Sequence, residues 1–219
     1  MTALHPRSSA DPRMLRWITA TALPAELPGA IDAYKRALEM KTAWLGAEHL
    51  EVAKAHQNLA LAQQSLRLND EARKHYQSAL AIRRGKLEPG HPAIANTLFH
   101  LAWLSHAEGA AGHAEARREY DQARSIWEQS RGLQHGDAVV LLRYSAALHV
   151  AQGHADKAVP LLVQAAQLAE SILAPAQPTS GWINRTAMVR RLRRTEDITF
   201  SLLLQRPGDR TLQQLALVT

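Results

Sequence analysis

The sequence predicts an all-α fold, a right-handed α-solenoid of about four antiparallel helix pairs closed by C-terminal capping helices. Three observations carry this. The 219-residue chain repeats itself at a period near 42 residues, each unit holds two stretches of helical periodicity, and no segment alternates as a strand does. Set LGAEHLEVA (45–53) over LEPGHPAIA (87–95), a shift of 42, and His49 falls on His91 while Val52-Ala53 falls on Ile94-Ala95. A further shift of 44 carries His91 to His135, and another 42 carries His135 to Gln177, with Pro92 on Pro178. Inside the units, Leu59-Ala60 matches Leu101-Ala102 and Ser145-Ala146. Ala72, Tyr76 and Ala79 match Ala116, Tyr120 and Ala123, then Ala158, Leu162 and Ala165, and in the other direction Ala30, Tyr34 and Ala37.

Each unit therefore reads as two helices. First helices are expected over about 50–66, 92–108 and 136–152, and second helices over about 69–86, 112–130 and 155–173. The turns within pairs carry Asn69-Asp70, Gly109 with Gly112, or Gly153, residues that end helices or accept turn dihedrals. The repeated alanines have a physical purpose. A methyl group at a helix crossing lets two axes approach, and the Tyr or Leu one turn on fills the space beside it. The two extra residues at His113-Ala114 fall near a turn, where insertion is tolerated.

A Leu-Ala pair in the first helix, followed by Ala, an aromatic and Ala in the second, resembles the tetratricopeptide repeat. The usual length of that repeat is about 34 residues. The longer period and the linker pattern L-x-x-x-H-P-x-(V/I)-A are similar to its kinesin-light-chain subtype. The resemblance covers residues 11–178 and implies a repeat scaffold that holds peptides. Kinesin light chains use asparagine and basic groove positions to bind extended acidic peptides, and Asn58 stands where one such asparagine would. His100 and Tyr144 interrupt that series.

Carried outward, the pattern assigns the ends. Residues 11–23 and 27–44 form a worn first pair, with Trp17-Ile18 where Leu-Ala would stand. Residues 1–10 read as disordered. After Pro175 and Pro178, residues 179–219 read as a basic degenerate repeat and C-terminal cap, which a solenoid needs because its last apolar face is otherwise wet.

Composition narrows the function classes. Nowhere does an apolar run reach the roughly 18 residues of a membrane helix, and Arg16 interrupts MLRWITATAL, the one candidate secretion signal. The absence of cysteine excludes disulfides, thiolate metal sites and cysteine nucleophiles. A cytoplasmic location fits, and the Ala- and Arg-rich, Lys-poor composition suggests a GC-rich bacterial genome. Of the net charge of +6, residues 175–219 supply +4 and residues 1–25 supply +2, leaving 26–174 neutral. A tail of +4 is too modest to imply nucleic acid, and RRLRR (190–194) reads as a solvated helix face favoured by the helix dipole.

The ligand surface follows from helix geometry. With the Leu-Ala pair at positions 7 and 8, positions 4, 7, 8 and 11 face inward, while 2, 5, 6, 9, 12 and 13 face away and line the concave groove of a solenoid. The predicted peptide-binding residues are Arg16 from the first unit and Lys54, Gln57, Asn58 and Leu61 from the second. Asn96, Phe99, His100, Trp103 and His106 come from the third, Arg143 and Tyr144 from the fourth, and Trp182 and Arg185 from the degenerate repeat. This set holds four of the eleven aromatics and no acid, a composition typical of interaction surfaces.

Catalytic and metal chemistry find no such support. The eleven histidines include no H-E-x-x-H, and no pair lies four apart beside a carboxylate. His49, His91 and His135 recur with the linker and are expected to pack or cap at helix starts, while His56 takes an inward position. No G-x-S-x-G, Walker loop or dinucleotide fingerprint occurs. The expected function is a non-enzymatic protein-interaction module without cofactor or metal, binding an extended acidic and apolar segment of a protein partner. Two alternatives stand beside it: an assembly or capping subunit that docks through its convex or terminal surfaces, its groove filled by its own tail, and a nucleic-acid-binding repeat protein using the Arg-rich C-terminal region. The oligomeric state is not encoded in any of these features.

Overall fold

The computed structural model describes residues 27–130 and 132–173. Among these, seven α-helices and one short 3-10 turn follow one another, with no strand. They are α1 (Leu27–Leu45), α2 (Leu50–Ser65), α3 (Asn69–Lys86), α4 (Pro92–Ala107), α5 (His113–Ser130), α6 (Gly136–Ala151) and α7 (Ala155–Leu173). The predicted helices are met to within one residue at each end; the turn Gly109–Gly112 is a 3-10 segment. The expected helix over 11–23, the disordered 1–10 and the cap over 179–219 lie outside the described residues.

The chain divides into two units, Met1–Ala79 and Leu80–Thr219. In the first, Ile31, Leu59 and Ala62 form a buried cluster, with Tyr34, Leu38 and Leu66 packed against it. Ala72, Tyr76 and Ala79 of α3 are sealed from solvent, as the crossing role requires, whereas Ala30 and Ala37 of α1 are half-buried. In the second unit Ala116, Tyr120 and Ala123, then Ala158, Leu162 and Ala165, are all buried. Ala146, Ala155, Ala158 and Leu162 pack as one cluster. Small residues on the buried face and one large residue beside them suit close approach of the paired helices.

The linkers repeat down to single hydrogen bonds. His49, His91 and His135 each cap the first helix that follows, the Nδ1 atom accepting from Glu51 N–H at 3.1 Å, Ala93 N–H at 3.1 Å and Ala138 N–H at 3.2 Å. An imidazole acceptor here replaces the usual Ser or Asp oxygen and satisfies an amide that the helix leaves orphaned. The turn inside each pair also has one recurring backbone sign. Arg67, Gly109 and Gly153 occupy the same repeat position and all have φ between 63° and 77°. The second repeat therefore places an arginine in the left-handed region that its sister repeats give to glycine.

A third recurring contact ties each second helix to the first helix after it. Lys41 of α1 pairs with Glu51 of α2 at 2.6 Å. At the equivalent place Arg83, buried, donates from one nitrogen to the Ala93 carbonyl at 3.0 Å and to the Thr97 hydroxyl of α4. In the next copy Trp127 meets the cap residue His135 edge-on, with centroids 4.7 Å apart. Charge pair, buried guanidinium and ring contact do the same mechanical job with different chemistry.

Candidate interaction face of the first helices

The structure sorts the predicted face into accessible and withdrawn side chains. In the first unit Lys54 is exposed, and Gln57, Asn58 and Leu61 are half-buried on α2. In the second unit Asn96, His100, Trp103 and His106 of α4 and Tyr144 of α6 are half-buried. Two members are corrected. Phe99 is 4% exposed and Arg143 is 7% exposed, so neither offers an open surface. Arg16, Trp182 and Arg185 lie outside the described residues.

The correction has a geometric cause. Gln57, Phe99 and Arg143 all hold position 5 of their repeats. At about 100° per residue, position 5 stands roughly 110° from the centre of the inward stripe, on the flank of the helix, not opposite the core. A flank is covered by the neighbouring pair. Phe99 accordingly lies among Tyr120 at 6.2 Å, Trp127 at 6.1 Å and Tyr144 at 6.4 Å between ring centroids. Positions 2, 6 and 9 stand further round, which leaves Asn96, His100, Trp103 and Tyr144 partly open.

His106, at position 12, shares the flank. Its ring lies 5.8 Å from His113, 6.3 Å from Tyr120 and 6.2 Å from Tyr144, each nearly perpendicular. Burial, then the neighbouring His113, holds its pKa below the usual imidazole value, so the neutral ring is favoured. His106 stands where Gln64 stands one repeat earlier, and the substitution changes a hydrogen bond. Tyr76 donates to the Gln64 side-chain oxygen at 2.6 Å. Its counterpart Tyr120 is equally buried, yet its hydroxyl has no protein hydrogen-bond partner among the described residues. Tyr76→Phe is therefore expected to cost about 1 kcal/mol. Tyr120→Phe should be neutral or stabilising, and urea unfolding of both variants separates the two cases.

Two features escape a reading by repeat position alone. Trp44 is 71% exposed and Met40 54% exposed, four residues apart on one face of α1. The repeat equivalents of Trp44 are Lys86, Ser130 and Ile172, so the signal was a large aromatic at a place that two of its three sister repeats keep polar. The other is a contact between His56 and His75, whose Nδ1 atoms lie 2.9 Å apart. Among the described residues no group of three or more His, Cys, Asp or Glu is placed to hold a metal ion, and no helix is long and apolar enough to cross a membrane.

The arrangement of paired helices agrees with the comparisons to known proteins. Residues 26–84 match the family model for the tetratricopeptide repeat. That stretch of the chain carries the tetratricopeptide repeat. A candidate kinesin light chain of Podosopora anserina, built of nearly identical TPR-like repeats, superposes with a TM-score of 0.64 at 20% identity, covering 94% of this chain and 90% of that one. A single-substitution form of the same protein gives 0.65 at 20% identity, covering 94% and 91%. BtubC (BKLC) from P. vanneervenii gives 0.61 at 19% identity, covering 72% of this chain and 61% of that chain. No curated protein matches. These likenesses show a tetratricopeptide-like fold of repeated helix pairs, and tetratricopeptide repeats serve as protein-interaction modules.

Proposed function

We propose that this helical-repeat protein is a non-enzymatic interaction module that binds an extended, acidic and apolar segment of a partner protein on its first-helix faces. The observation that carries the reading is Trp103, a half-buried indole at position 9, flanked on its own face by Asn96 and His100 and joined in the second unit by Tyr144. An aromatic anchor amid amide and imidazole groups suits a peptide, since aromatics contribute area at low entropic cost and the polar groups meet its backbone. In the first unit, Lys54 adds an exposed cation beside Gln57, Asn58 and Leu61. No residue of either face is acidic, which favours acidic ligands through association rate.

The test is a peptide-display selection against the full chain, followed by titration of the selected peptides. Trp103→Ala should weaken binding by roughly 2 kcal/mol with little change in melting temperature. Unchanged binding with a sharp loss of thermal stability would reassign Trp103 to the core and defeat the reading. A second reading, an assembly subunit docking through an outer surface, is favoured by exposed Met40 and Trp44 on α1. Selected peptides that survive Trp103→Ala but are lost with Trp44→Ala would support it.

A further inference from the structure

The second repeat places a histidine on its first helix where the next two repeats place a buried leucine. His56 of α2 and His75 of α3 face each other with Nδ1 atoms 2.9 Å apart and ring centroids at 5.1 Å. Both rings are half-buried. The repeat spacing takes His56 to Leu98 and then Leu142, both buried, and takes His75 to Glu119 and then Leu161. A leucine at the first position is thus what this scaffold otherwise uses.

At that separation the contact holds one proton. One imidazole donates N–H and the other must offer a lone pair, which only a neutral ring has. Protonating both sets two N–H donors and two like charges against each other in a partly desolvated site. The charged surroundings do not relieve this. His75 acts on His56, Lys35 of α1 acts on His75, and among the described residues no acidic group is a resolved influence on either. A metal ion is a poorer occupant than a proton, because no third metal-ligating residue joins the pair among the described residues and Lys35 adds positive charge.

We propose that His56 and His75 form a proton-operated latch between α2 and α3, closed by one hydrogen bond and forced open when both imidazoles are charged. This stands apart from whether the first-helix face binds a peptide. Burial, and after it the neighbouring positive charge, holds both groups below the usual value of 6.5. The folded state then binds fewer protons than the unfolded chain. The latch's contribution is therefore complete above about pH 6.5 and is lost as pH falls through the lowered folded values.

The experiment is thermal unfolding of the full chain between pH 7.5 and 5, in wild type and in His56→Leu, which restores the residue of the sister repeats. Wild type should lose several degrees over this range, while His56→Leu should lose much less and melt above wild type at the acid end. His75→Leu, copying Leu161, provides the same comparison from the other side. NMR titration gives an independent reading: the His56 imidazole should titrate below the usual value in wild type and move up toward it in His75→Leu, which removes the neighbouring ring. A variant slope equal to that of wild type, or an unmoved His56 titration, overturns the latch.

Discussion

Gly112→Ala is expected to lower the melting temperature sharply, by an amount corresponding to about 3 kcal/mol or more. A Cβ at this position would stand 1.9 Å from the Ser105 carbonyl oxygen and 2.8 Å from its carbon. Both are backbone atoms of the last turn of α4, so no flexible side chain can swing aside. The 3-10 turn Gly109–Gly112 must instead lift off the end of α4, and with it the start of α5, whose first buried crossing residue is Ala116. Gly85 provides the control. It lies within α3 with nothing inside 4 Å of its notional Cβ, so Gly85→Ala should gain about 0.5–1 kcal/mol from helix propensity. Equal effects in the two variants, read from thermal or urea unfolding, would remove the close approach from the account.

That contrast shows what a sequence can disclose. The helices were legible because a 42-residue period superimposes several copies, and errors in one copy are corrected by the others. Alanine crossings were legible for the same reason: Ala72, Ala116 and Ala158 recur in register and all are buried. Histidine caps followed from their recurrence at the linker. What the period cannot show is anything one copy does alone. The two-residue insertion beside the Gly109–Gly112 turn has no counterpart to compare with. Arg67 hides a left-handed residue that only its sister glycines reveal. His56 reads as an inward histidine, but its partner His75 stands where the other copies carry Glu119 and Leu161, so no pattern announces the pair.

The interaction face was legible in part, and the failure is angular. Dividing a helix into an inward and an outward half assigns positions 5 and 12 to the outside, although both lie on the flank. In an isolated helix pair that flank would be wet. In the second unit Phe99 reaches Tyr120 and Trp127 of α5 and Tyr144 of α6, so the flank is where adjoining pairs meet. Trp103, Asn96 and His100 stand further from the core stripe and keep partial exposure. A finer angular bin, not a different principle, separates the two groups.

Arg143→Glu puts that distinction to the largest test. On an open groove, reversing this charge would weaken an acidic ligand and leave folding intact. At 7% exposure on α6, between the buried Leu142 and Ser145, it should instead destabilise the chain by about 3–5 kcal/mol, the scale of an uncompensated buried charge. The penalty has two sources: a carboxylate is forced into a site shaped for a guanidinium, and the long aliphatic stem that fills the flank is shortened. Arg143→Met separates them, keeping most of the stem while removing the charge, and should cost distinctly less than the glutamate. Denaturant unfolding of the two variants beside wild type measures both contributions. If glutamate and methionine unfold like wild type while peptide affinity changes, Arg143 belongs to the open face after all, and position 5 must be returned to the ligand surface in every repeat.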